Sequence, residues 1–177
     1  MLRKNQRKSI RKKQKRTILF YGEGASENVF LRHLKKNYAN DPGIKITIKN
    51  GNGGSPDVVV RKAINREGDF GLRVVVVDSD RPEIKKAREI AEEKGICLIE
   101  NDPCLEALLL RILDIKKLPE NKKSGFYKRE FEKKHICENK RCDIDEYAKI
   151  FPKKVLDSRR KEIGELGRII GFMEKGR

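Results

Sequence analysis

The sequence predicts a three-layered α/β fold: a parallel sheet with helices on both faces, followed by a helical C-terminal extension. Short β-rich apolar runs alternate with segments of helical periodicity from residue 17 to residue 113. The run LRVVVVD (72–78) is apolar at successive positions, as expected of a strand buried on both faces. Breakers rich in Gly, Asn, Asp and Pro separate these segments, among them NDPG (40–43) and NGNGGSPD (50–57).

TILFY (17–21) is the first strand. After GEGASEN, the apolar positions Val29, Phe30, Leu34 and Tyr38 recur at helical spacing, predicting a helix over 26–38 with Ser26 as a cap near its start. IKITIK (44–49) alternates as a strand does. Ser-Pro-Asp at 55–57 signals a helix start, and Val58, Val59, Ala63 and Ile64 follow on one face. The valine strand comes next, then a helix from about Pro82 to Lys94 closed by Gly95, the strand ICLIE (96–100) and the strongly apolar helix PCLEALLLRIL (103–113). Beyond Lys116 the pattern weakens: KKLPENKKSG is a polar connector, 126–151 mixes charges with scattered aromatics, and the segment from Val155 reads as one or two basic helices. The expected division is a basic arm over 1–16, a core over 17–115 and an extension over 116–177 that packs beside the sheet.

The 177 residues carry a formal charge of +16, which attracts polyanions and makes nucleic acid the leading partner. Residues 3–16 hold nine Lys or Arg and no acid. Such a block cannot bury apolar area against its own repulsion, so it reads as a disordered arm that lies along phosphates, or as a solvated tail. Arg11, Lys12, Lys13, Lys15 and Arg16 are its candidate phosphate contacts, with Arg159 and Arg160 in the C-terminal helices. No apolar run is long enough to span a bilayer and no apolar leader opens the chain, so the expected location is the cytoplasm, away from membranes. Four cysteines then read as reduced thiols. His135, Cys137 and Cys142 offer three soft ligands at loose spacing, short of the four a structural zinc site requires.

Two acidic groups follow strands, where open parallel sheets bind ligands. Glu23 follows the first strand, with Glu27 four residues on, and the third strand runs into Asp78 and Asp80. If those strands are neighbours, the carboxylates converge on one edge, and a hard divalent ion such as Mg²⁺ or Mn²⁺ would relieve their repulsion. Taken separately, Asp78 and Asp80 can simply cap the next helix, and Glu23 and Glu27 can be solvated loop charges. Arg81 either neutralises a phosphate beside the metal or pairs with Asp78 or Asp80. Gly51, Gly53 and Gly54 form either a turn or a backbone cradle for phosphate, without the Gly-Lys-Ser/Thr ending of a nucleotide-binding P-loop.

ILFYGEGASENVFLRHL followed by VVVVDSDR resembles a Toprim domain, with a glutamate after the first strand and Asp-x-Asp after the third. Together with ENDPCLEALLL, GEGASENVFLRHL is similar to the RloB-like family of bacterial abortive-infection and restriction loci. The match departs at Asp102, inserted between Asn101 and Pro103, and at Leu105, where an aromatic is usual; it covers roughly residues 17–113. The resemblance implies a Mg²⁺-dependent catalytic core acting on DNA or RNA, with Glu23 as general acid or base and ligand, Asp78 and Asp80 as ligands, and Glu27 and Glu106 in support. It also implies an anti-phage role, with a nuclease as the first reading. A weakly catalytic nucleic-acid-binding subunit working with a separate, nearby-encoded ATPase is the alternative. A receiver domain would need a lysine at a later strand end, and ICLIEND supplies none.

Overall fold

The computed structural model describes residues 15–113, 119, 122–136 and 140–176. Among them, β1 (Arg16–Gly22), α1 (Ala25–Tyr38), β2 (Ile44–Asn50), α2 (Pro56–Ile64), β3 (Leu72–Asp78), α3 (Ile84–Glu93), β4 (Cys97–Asn101) and α4 (Leu105–Ile112) alternate in chain order. Four further helices follow: α5 (Ser124–Lys134), α6 (Ile144–Ile150), α7 (Lys153–Arg159) and α8 (Gly164–Lys175). The four strands form one parallel sheet in the order β2-β1-β3-β4, the three-layered α/β architecture the sequence predicts. No helix among the described residues is long and apolar enough to cross a membrane.

The valine run is explained by burial on both faces. Val74 and Val76 point with Ile18, Phe20 and Ile99 into one core, while Val75 and Val77 point with Leu19 and Tyr21 into the other. Each buried valine contributes roughly 1.5–3 kcal/mol relative to exposure. α2 and α3 close the second core through Val59, Val60, Ala63, Ile84, Ala87 and Ala91. The first core is larger. α1 and α4 meet the C-terminal helices there, which bring Phe131, Tyr147, Leu156, Ile170 and Met173. The extension therefore shares its core with the sheet.

Several expectations need correction. β1 begins at Arg16, whose amide donates to Gly43 O at 2.8 Å, so this residue belongs to the sheet rather than to the arm. Its guanidinium reaches Lys175 O at 3.4 Å. Lys15 is exposed, and Arg11, Lys12 and Lys13 lie outside the described residues. Ser26 lies inside α1 and does not cap it; Gly24 takes the cap position, and Glu27 reaches back one turn to accept its amide at 2.9 Å. Arg159 and Arg160 are each paired with a glutamate. Arg159 pairs with Glu162 at 2.5 Å. Arg160 grips Glu174 through two bonds of 2.9 and 2.5 Å and lies over the Tyr38 ring at 5.5 Å, fastening α7 to α8 and α1. Glu162 lies three residues from Arg159, within reach of local charge patterning, whereas Glu174 is brought to Arg160 only by the packing of α8.

Candidate active site

β1 and β3 are hydrogen-bonded neighbours, with Gly22 opposite Val76. From this pair the chain runs to β2 on one side and to β4 on the other, so the carboxyl ends of β1 and β3 flank the topological switch point of the sheet. Glu23 and Asp78 stand there side by side. The Asp78 amide donates to Glu23 Oε2 at 3.2 Å, and the Glu23 amide donates to Val76 O at 3.1 Å.

Asp78 is 7 % exposed. Its Oδ1 accepts from the Leu105 amide, the first residue of α4, at 2.9 Å and from Asn101 Nδ2 at 3.4 Å. It therefore caps a helix, but α4 rather than the α3 that follows it in sequence. Although a helix start favours an anion, burial and then the charges of Glu27, Glu23 and Glu106 push the Asp78 carboxyl up to about 8. Burial is likewise the main cause that raises Glu27 to about 7, with Glu106 and Glu23 adding to it. Glu23 is raised chiefly by burial, while the Asp78 amide and Arg81 oppose the rise. Glu23 is half-buried and Glu27 buried, so neither is a solvated loop charge. Four carboxylates thus crowd one another at the switch point, and Glu106 Oε2 is buried there without a hydrogen-bond partner.

Asp80 is exposed, and its Oδ2 accepts from Ser124 Oγ at 2.5 Å. Arg81 is also exposed and forms no ion pair with Asp78 or Asp80 among the described residues; its positive field falls on Glu23 instead. Lys128 of α5 adds a second positive field, felt by Glu23 and Asp78. Sequence reasoning missed both Ser124 and Lys128. Nothing in GFYKREFEKK marks one lysine among several; the fold of α5 over the switch point singles it out.

The glycine loop does not offer the phosphate cradle that was one reading of it. Gly51 N donates to Gly22 O at 2.7 Å and Gly53 N to Glu23 O at 2.8 Å, so these amides hold the end of β1. Lys62 Nζ ties down the Gly51 and Gly53 carbonyls at 2.7 and 3.1 Å. A Cβ on Gly51 would stand 3.0 Å from both Glu23 O and Gly22 O. Gly51→Ala is accordingly expected to cost about 1–3 kcal/mol through overpacking, read as a lower urea midpoint at unchanged slope.

Among the described residues, no group of three or more His, Cys, Asp or Glu is arranged to hold a metal ion as the chain stands. The donor chemistry still fits a hard divalent ion: oxygen ligands only, an unpartnered buried oxygen on Glu106, and carboxyls at Asp78 and Glu27 pushed up by burial and then by one another. The other metal candidate has only His135 and Cys142 among the described residues. His135 packs on the Phe131 ring at 5.7 Å, Cys142 is an exposed free thiol, and Cys137 lies outside the described residues. No protein-family model, no curated protein and no solved structure matches the chain.

Proposed function

We propose that this protein is a metal-dependent nuclease, hydrolysing phosphodiester bonds of nucleic acid at the switch point between β1 and β3. The observation that carries this reading is the gathering of Glu23, Glu27, Asp78 and Glu106 at one strand end, where burial first and then the neighbouring carboxylates lift Asp78 to about 8 in a chain of net charge +16. Carboxylates so placed without a cation are a standing cost; a site that receives Mg²⁺ or Mn²⁺ on binding a phosphate gives them a purpose.

Glu23, Asp78 and Asp80 would hold the ion, with Glu106 and Glu27 behind them. When bound, a divalent ion supplies charge stabilisation for phosphate oxygens and a more acidic water. Glu23, half-buried beside the Asp78 amide, is placed to take a proton from the attacking water. Arg81, exposed and, among the described residues, unpaired with Asp78 or Asp80, lends its positive field to Glu23 and can meet the scissile phosphate. The remaining positive charge holds the backbone without choosing sequence. The resemblance to Toprim domains and RloB-like proteins adds a setting, anti-phage defence with an ATPase encoded nearby.

A labelled DNA and RNA cleavage assay in Mg²⁺, Mn²⁺ or EDTA tests the reading. Cleavage is expected with either metal, absent in EDTA, and reduced about 10²–10⁴-fold by Glu23→Gln with binding retained. The lack of a ready-made metal geometry among the described residues favours one second reading, a nucleic-acid-binding subunit whose site is completed only by a partner. Salt-sensitive binding with no turnover under any metal would establish that reading and end the first.

A further inference from the structure

The first turn of α5 is tied to the acid site. Ser124 Oγ donates to Asp80 Oδ2 at 2.5 Å, and Ser124 O accepts from Cys104 Sγ, just before α4, at 3.9 Å. Tyr127 and Phe131 are buried in the core, which fixes the roll of α5 about its axis. Residues four apart on a helix share a face, so Lys128 stands one turn beyond Ser124, on the side toward the end of β3 and the start of α4. It is half-buried there. Burial opposes its charge, but Glu106, Asp78, Cys104 and Asp80 together favour the ammonium and raise its pKa. Among the described residues, the Lys128 ammonium makes no hydrogen bond and no ion pair. An ammonium held in the field of several carboxylates without closing on any one of them acts as a shared counter-ion.

We propose that Lys128 is the resident counter-ion of the acid site: it steadies the carboxylates before a divalent ion arrives and opposes that ion's binding until a substrate phosphate engages the ammonium. The inference rests on the metal-binding reading above and makes Lys128 a positioning residue. Its consequence is coupling. The ion binds weakly to the free protein and more tightly in the presence of a phosphodiester, which confines a loaded site to moments when nucleic acid is present.

The test is a Mn²⁺ titration of the full chain, following free Mn²⁺ by electron paramagnetic resonance, for wild type, Lys128→Met, Lys128→Gln and Lys128→Arg. Each is titrated with and without a single-stranded oligonucleotide in Ca²⁺-free buffer, at a temperature too low for turnover. A unit charge a few ångströms from a divalent ion in a partly solvated site changes affinity about tenfold. Lys128→Met and Lys128→Gln are therefore expected to bind Mn²⁺ about tenfold more tightly than wild type without oligonucleotide. The gain that wild type shows on adding oligonucleotide should shrink to near onefold in both, and Lys128→Arg should restore it. A merely structural lysine would leave Mn²⁺ affinity unchanged or weakened. Either result in folded Met and Gln variants, against a wild type that binds Mn²⁺, overturns this proposal alone. Absence of Mn²⁺ binding in every folded protein, with or without oligonucleotide, overturns the metal reading and this proposal together.

Discussion

Asp78→Asn is expected to abolish metal-dependent cleavage while raising the melting temperature of the metal-free protein at pH 8. Burial first, and then Glu27, Glu23 and Glu106, hold the Asp78 carboxyl at about 8 in the folded chain; unfolded, it returns to about 4. The folded state thus binds this proton more tightly than the unfolded state does. The resulting stabilisation is complete below about pH 4 and is lost as pH rises through about 8. Glu27, held at about 7, behaves in the same way over a lower window. Asn keeps an oxygen for the Leu105 amide, which Asp78 Oδ1 accepts at 2.9 Å, and removes the charge. The gain at pH 8 is expected to be about 1–3 kcal/mol, less than an isolated shift would suggest, because the neighbouring carboxyls relax together. That is a rise of roughly 2–12 °C for a chain of this size. At pH 4–5 the two proteins should melt close together. Thermal scans in EDTA at both pH values, beside the cleavage assay, check the pair of effects. Equal melting temperatures at pH 8 would mean that the carboxylates are not crowded.

The fold was legible because its signals are local. Four successive valines, Val74 to Val77, fit only a strand with two buried faces, and the structure divides them alternately between two cores. The segment from Val155 reads only as one or two basic helices, and it forms α7 and α8, with Leu166, Ile169, Ile170 and Met173 of α8 buried. Glu23, Glu27, Asp78 and Asp80 could be named because they follow strands. Their convergence required β1 beside β3, which is a property of topology rather than of spacing. What sequence did not reveal depends on partners far along the chain. Arg160 meets Glu174, Asp80 meets Ser124, and the loop glycines donate to carbonyls at the end of β1. The phosphate-cradle reading of Gly51 and Gly53 failed for that reason, since a Gly-rich loop looks the same in sequence whether its amides are vacant or engaged. Lys128 is the extreme case, one cation in a basic helix whose role is set by where α5 docks.

Phe151→Ala is expected to have the largest effect on stability, about 3–5 kcal/mol, in a single cooperative transition. Phe151 is 0 % exposed and lies between α6 and α7, in the part of the chain that the sequence suggested was an extension. Its ring meets Phe30 of α1 edge-on at 5.9 Å and stacks on Phe131 of α5 at 6.2 Å, with Tyr147 at 5.9 Å. Truncation removes all three ring contacts and leaves a cavity that neighbouring helices can close only by moving. The hydrogen bond that the His33 ring Nε2 donates to Phe151 O, at 2.8 Å, does not involve the truncated ring and should keep the local chain in place. Urea unfolding followed by far-ultraviolet circular dichroism and by tyrosine fluorescence should give coincident curves, with a lower midpoint and an unchanged slope. Two separated transitions would instead mean that the C-terminal helices form a unit of their own. The position also bears on the site. α1 carries Glu27, and α5 carries Ser124 and Lys128; Phe151 packs against Phe30 of the first helix and Phe131 of the second. Loosening that contact should therefore weaken the Ser124–Asp80 tether and lower activity in protein that is still folded.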